Sequence, residues 1–128
     1  MSSENAPVLI LAHDPMSAAL LGALIETLGY SVHFGRPFEN TNDAMRRARP
    51  TVCILDADYG AAASEETLGH AAMRGIAAIL FGTQKALDRS RALAEKHGAV
   101  TLRMPASASD LDTALQRAMR SARPSVTL

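Results

Sequence analysis

The chain has 128 residues, with 13 Lys plus Arg against 13 Asp plus Glu and no net charge when histidines are neutral. That length suits one domain, and the balance lacks the positive excess of a dedicated nucleic-acid binder. Hydrophobic residues make up 48%, with one cysteine and no tryptophan, which excludes a disordered chain, an internal disulfide and a multi-cysteine metal site.

Alanine accounts for 24 residues, so close-packed helices and few aromatic anchors are expected. No apolar run approaches the roughly 20 residues that cross a bilayer. The stretch from Met1 to Pro7 lacks the basic leader of a secretory signal. The expectation is a soluble, cytoplasmic single domain with no membrane contact.

In chain order, Val8-Leu9-Ile10-Leu11-Ala12 is an uncharged run that predicts a strand buried on both faces. Asp14-Pro15 is an N-cap followed by proline at the first helical position. Met16, Ala19, Leu20, Ala23, Leu24 and Leu28 recur at helical steps and predict one apolar face, closed by Gly29. Tyr30 to Phe34 predicts a second strand, Gly35, Pro37 and Asn40 a loop, and Asn42 to Arg49 a short polar helix stopped by Pro50. Thr51 to Leu55 is a third apolar run ending at Asp56, followed by a loop over Ala57 to Ala63. Ser64-Glu65-Glu66 opens a helix that ends near Gly75. Ile76 to Phe81 predicts a fourth strand broken by Gly82-Thr83, and Lys85 to His97 one helix with Gly98 as its C-cap. Ala99 to Leu102 predicts a weaker fifth strand, Pro105 to Ser109 a loop, and Leu111, Leu115 and Met119 a last helix. Residues 122–128 read as a tail, leaving a core of about residues 7–121.

Five strand–helix units demand parallel strands with right-handed crossovers, hence an α/β fold with an open sheet and helices on both faces. Sites in such sheets form beyond the carboxyl ends of the strands. Those ends carry His13 and Asp14, Asp56 and Asp58, Gly82 and Thr83, and Arg103 and Met104, which should converge.

The order and spacing of several segments resemble the receiver domain of two-component response regulators. They are Val8 to Pro15, Leu28-Gly29-Tyr30-Ser31-Val32, Pro50 to Asp56, Gly98-Ala99 and Met104-Pro105. The resemblance implies a flavodoxin-like five-stranded sheet of order 2-1-3-4-5. It also implies a phosphoacceptor aspartate at Asp56 served by a histidine kinase, an acid pair holding Mg²⁺, a hydroxyl after the fourth strand and a lysine before a proline. This chain departs at those places. The acid pair falls on Ala12 and His13, the hydroxyl on Gly82 with Thr83 one place later, the lysine on Met104 with Arg103 beside it, and the aromatic switch on Thr101.

Charge placement supplies most of the rate of phosphoryl transfer, and Mg²⁺ wants several hard oxygen ligands. What remains is a degenerate metal set of His13, Asp14 and Asp56, with Thr83 and Arg103 as the nearest stand-ins for the catalytic hydroxyl and cation. Each lost charge-assisted contact costs about 1.5–3 kcal/mol, and about 1.4 kcal/mol is a decade in rate. The expectation is therefore a stand-alone module that signals by binding a kinase or effector, or a second copy of itself, with weak or no phosphorylation. The implied interface uses the fourth helix, fifth strand and last helix, through Leu87, Arg91, Leu102, Leu111, Leu115 and Arg117. The alternatives are a working phosphoacceptor on Asp56 and a sensor whose vacated acidic pocket takes a small ligand.

Plainer roles stand beside these. Asp14 caps a helix, Asp58 belongs to a loop, and Cys53 and Met104 fill core. Arg46, Arg47 and Arg49 form a solvated face, and Arg117, Arg120 and Arg123 complement a helix dipole. His33, His70 and His97 show no metal spacing. With no nucleophile elbow and no phosphate-cradling glycine loop, the sequence does not read as an independent enzyme.

Overall fold

A computed structural model describes residues 6–60 and 62–122. The elements run β1 (Pro7–Leu11), α1 (Pro15–Thr27), β2 (Ser31–Phe34), α2 (Thr41–Ala48), β3 (Val52–Asp56), α3 (Glu65–Met73), β4 (Ala77–Gly82), α4 (Gln84–Arg89), α5 (Arg91–His97), β5 (Val100–Arg103) and α6 (Ala108–Ala122). All four ladders are parallel, and the strand order is β2-β1-β3-β4-β5. This is the expected flavodoxin-like order.

The strand sequences explain the two-faced sheet. Side chains alternate between faces. Val8, Ile10, Val52, Ile54, Ile79 and Phe81 join Leu21 and Ile25 of α1 and Leu111 and Leu115 of α6 in one core. Leu9, Leu11, Cys53, Leu55 and Leu80 join Ala44 and Met45 of α2, Leu68 of α3, Leu87 of α4 and Ala94 of α5 in the other. An unbroken apolar run is therefore what a central strand of this sheet requires.

The helices start and stop on local signals. Asp14 caps α1, its carboxylate accepting from the Met16 and Ser17 amides, with Pro15 next. Asn40, Ser64 and Thr83 cap α2, α3 and α4 through their side-chain oxygens. Gly98 ends α5 in the left-handed region that glycine enters without steric cost.

Two expectations are corrected. The helix expected over 85–97 is two helices, because the chain breaks at Ser90, with φ −97° and ψ 3°. The buried face of α1 is also not the one the periodicity picked. Leu21, Gly22 and Ile25 are buried, whereas Met16 and Leu20 are 67% and 58% exposed. A helix that is apolar nearly all round carries no unique stripe, so packing decides. Gly22 faces β2 because the Phe34 ring lies against it; a Cβ there would come within 2.8 Å of Phe34 Cζ. The expected tail begins at Ala122, the end of α6, and otherwise lies outside the described residues. No helix of the described residues is long and apolar enough to cross a membrane.

Candidate functional site at the carboxyl ends of the strands

Right-handed crossovers bring the loops after β1, β3, β4 and β5 to one edge of the sheet. Asp56, last residue of β3, is 7% exposed there. Its Oδ2 accepts the His13 amide at 3.2 Å and its Oδ1 accepts the Asp58 amide at 2.9 Å. Neighbouring loops are joined through the backbone: the Ala57 amide donates to the Phe81 carbonyl at 2.8 Å and the Met104 amide to the Gly82 carbonyl at 2.9 Å. Of the eight residues expected to converge, these bonds join His13 and Asp58 to Asp56, and Met104 to Gly82 on the neighbouring strands.

Two of the side chains expected to do chemistry, those of Asp14 and Thr83, are engaged as helix caps. The Asp14 carboxylate takes the Ser17 hydroxyl at 2.9 Å as well as two backbone amides. The Ser17 hydroxyl bond, with the Met16 amide behind it, holds its pKa below the usual carboxylate value. Thr83 is exposed, and its hydroxyl accepts the Ala86 amide at 3.2 Å as a helix cap. Arg103 is exposed on the edge strand, pairing in register with Gly82 and lining a depression with Asp88 and Arg91 of α4 and α5. Met104 is packed against the α1–α6 core. The place where the resemblance expects a hydroxyl is tight: a Cβ on Gly82 would lie 3.3 Å from Ala57 Cβ and 3.4 Å from Ala86 Cβ, so a neighbour would have to give slightly.

The set His13, Asp14 and Asp56 does not fit Mg²⁺. No group of three metal-ligating side chains is assembled among the described residues. Asp14 caps α1, His13 contributes its backbone to Asp56, and the His13 ring lies 5.6 Å from the Tyr59 ring between centroids. One buried carboxylate whose two oxygens already accept amides is a poor cage for a hard, octahedral cation.

The interface residues divide sharply. Leu102, Leu111 and Leu115 are core beneath α6, and Leu87 is core beneath α4. Their apolar side chains are buried by the sheet, so they cannot be contacts for a partner. Of the six, Arg91 and Arg117 are exposed, and Arg91 belongs to α5.

Two features were not legible in the sequence. Arg89 of α4 meets Asp58 at 3.0 Å, Nη2 to Oδ1, bringing a guanidinium beside the Asp56 loop. It lies 31 residues away in the chain, and no local pattern pairs them. A cleft of about 630 Å³ opens at the carboxyl ends of β1 and β2, lined among others by Ala12, Phe34, Thr41, Tyr59 and Ser64. Cys53 matches its expected role, fully buried in β3, where desolvation pushes the thiol up to about 12.

No family model matches the sequence, and no curated protein matches it. Solved structures do. A response regulator receiver domain protein from Clostridium thermocellum is 22% identical, with a TM-score of 0.70, covering 91% of this chain and 95% of that one. The chemotaxis protein CheY4 of Vibrio cholerae is 19% identical with a TM-score of 0.71, covering 88% of this chain and 98% of that one. NtrX from Brucella abortus is 15% identical with a TM-score of 0.72; the match covers 92% of this chain, which spans only 28% of NtrX. The chain therefore has the receiver fold.

Proposed function

We propose that this receiver-fold chain is a signalling module that passes its message by binding a protein partner, with weak or no phosphorylation of Asp56. The observation that carries the reading is the state of Asp56. The carboxylate is buried, each oxygen accepts a backbone amide, and among the described residues no group of three metal-ligating side chains is assembled around it. Amide donors draw charge from the oxygens and weaken them as nucleophiles toward phosphorus. The position where a lysine would balance the transition-state charge holds Met104, an uncharged side chain partly buried against the core. The nearby guanidinium of Arg89 is engaged by Asp58. Phosphoryl transfer without metal and cation would lose several powers of ten in rate.

A histidine kinase or a downstream effector is the kind of partner this reading implies, in a water-soluble, cytoplasmic setting. A second copy of the chain is the alternative occupant of the surface around Arg91 and Arg117.

Incubation with acetyl phosphate and Mg²⁺ followed by intact mass measurement tests the proposal. The unmodified mass is expected. An adduct of one phosphoryl group that is lost in Asp56→Ala would overturn it and make Asp56 a working phosphoacceptor.

A further inference from the structure

We propose that a cavity at the opposite end of the sheet from Asp56 binds a small anion carrying two or more phosphate charges. The cavity, of about 430 Å³, is lined by Met45, Arg46, Arg49, Pro50, Arg74 and Ile76. Pro50 and Ile76 stand just before β3 and β4, which places it at the amino-terminal edge of the sheet.

Three separate features converge there. Arg46 of the last turn of α2 and Arg49, the residue that ends it, both line the cavity. Arg74, which ends α3, crosses to α2 and donates from Nη2 to Asn42 Oδ1 at 3.1 Å. Its guanidinium is thereby held beside α2. Arg49 itself sits at φ 47°, ψ 55°, in the left-handed region, at a helix end where glycine is the unstrained choice.

The charge of this cluster is uncompensated. Among the described residues, none of the three arginines forms an ion pair with a carboxylate, whereas Arg47, Arg89 and Arg91 each do. No carboxylate lines the cavity. A helix dipole accounts for cations at the end of α2. It accounts neither for a left-handed arginine where glycine would serve nor for Arg74 anchored from another helix.

The chemistry of the walls selects the ligand. Guanidinium forks match phosphate oxygens with paired N–H donors, and three of them suit more than one negative charge. Met45 and Ile76, 1% and 8% exposed, form an apolar floor that lowers the local dielectric and strengthens the attraction. The volume lies within the range of small-ligand sites. The proposal is independent of the reading of Asp56, which lies on the other edge.

The test is thermal denaturation and calorimetric titration of the full chain with pyrophosphate, against chloride at matched ionic strength. Pyrophosphate should raise Tm saturably through mass action. Arg49→Gly should fold at least as well, because it relieves the left-handed backbone, yet bind pyrophosphate roughly tenfold or more weakly. Arg74→Gln should weaken binding similarly. A pyrophosphate response equal to that of chloride, or one retained in both variants, would overturn the proposal.

Discussion

Glu39 shows how much a single side chain can do on the surface of this molecule. Its carboxylate receives Arg47 Nε at 2.7 Å, Arg47 Nη2 at 2.8 Å and the Arg36 amide at 2.9 Å. The Arg47 hydrogen bonds, followed by the Arg36 amide, pull its pKa down to about 2. Arg47 also donates to the Phe34 carbonyl, so the clamp ties α2 to the end of β2. A carboxyl depressed in the folded state stabilises it above the unfolded value and loses that contribution as pH falls. The stability difference between the native chain and Glu39→Gln should therefore be full above about pH 5 and shrink progressively toward about pH 2. Denaturant melts across that interval measure it; a difference that stays constant would show that the charge contributes nothing. At this scale Asp56 and Cys53 were legible, because a strand end and an apolar run fix their surroundings. The Asp58–Arg89 pair was not, because loop geometry and a distant helix set it. Thr83 shows the limit of a motif argument: one hydroxyl suits both a phosphate contact and a helix cap, and here it caps.

Among the elements, the strands were the easiest to read. β1 and β3 are buried on both faces, so continuous apolar runs with turn residues at each end left little choice. The helices of the α2–α5 face rest on short side chains such as Ala44, Ala71, Ala86 and Ala94, which let them sit close to the sheet. Helix α1 defeated the periodic reading, since apolar residues surround its axis and only contact with β2 and α6 picks the inner face. The correction is testable. Leu21→Ala should cost about 2–5 kcal/mol, as large-to-small changes in a packed core do. Leu20→Ala should stay within about 0.5 kcal/mol, as surface substitutions do. Equal losses in equilibrium unfolding would return α1 to the orientation that its sequence suggested.

In the molecule as a whole, the parallel fold gathers the strand ends at one edge of the sheet. The parallel order brings His13, Asp56 and Gly82 together, but Asp14, Thr83 and Arg89 are engaged by caps and an ion pair. Met104 packs, partly buried, against the α1–α6 core. The order of strands could be anticipated from the run of apolar segments and the family likeness. The cavities could not, because they depend on how loops from different crossovers meet. One molecule thus carries two edges of different character: a buried, amide-bonded carboxylate at one end and, at the other, three arginines that form no ion pair with a carboxylate among the described residues.

The most direct check of the reading proposed for Asp56 is a Mg²⁺ titration followed by NMR at the His13 and Asp58 amides, the two donors that hold its carboxylate. The account predicts that neither resonance moves saturably as Mg²⁺ is raised through the millimolar range. A saturable shift of both, abolished in Asp56→Asn, would contradict it.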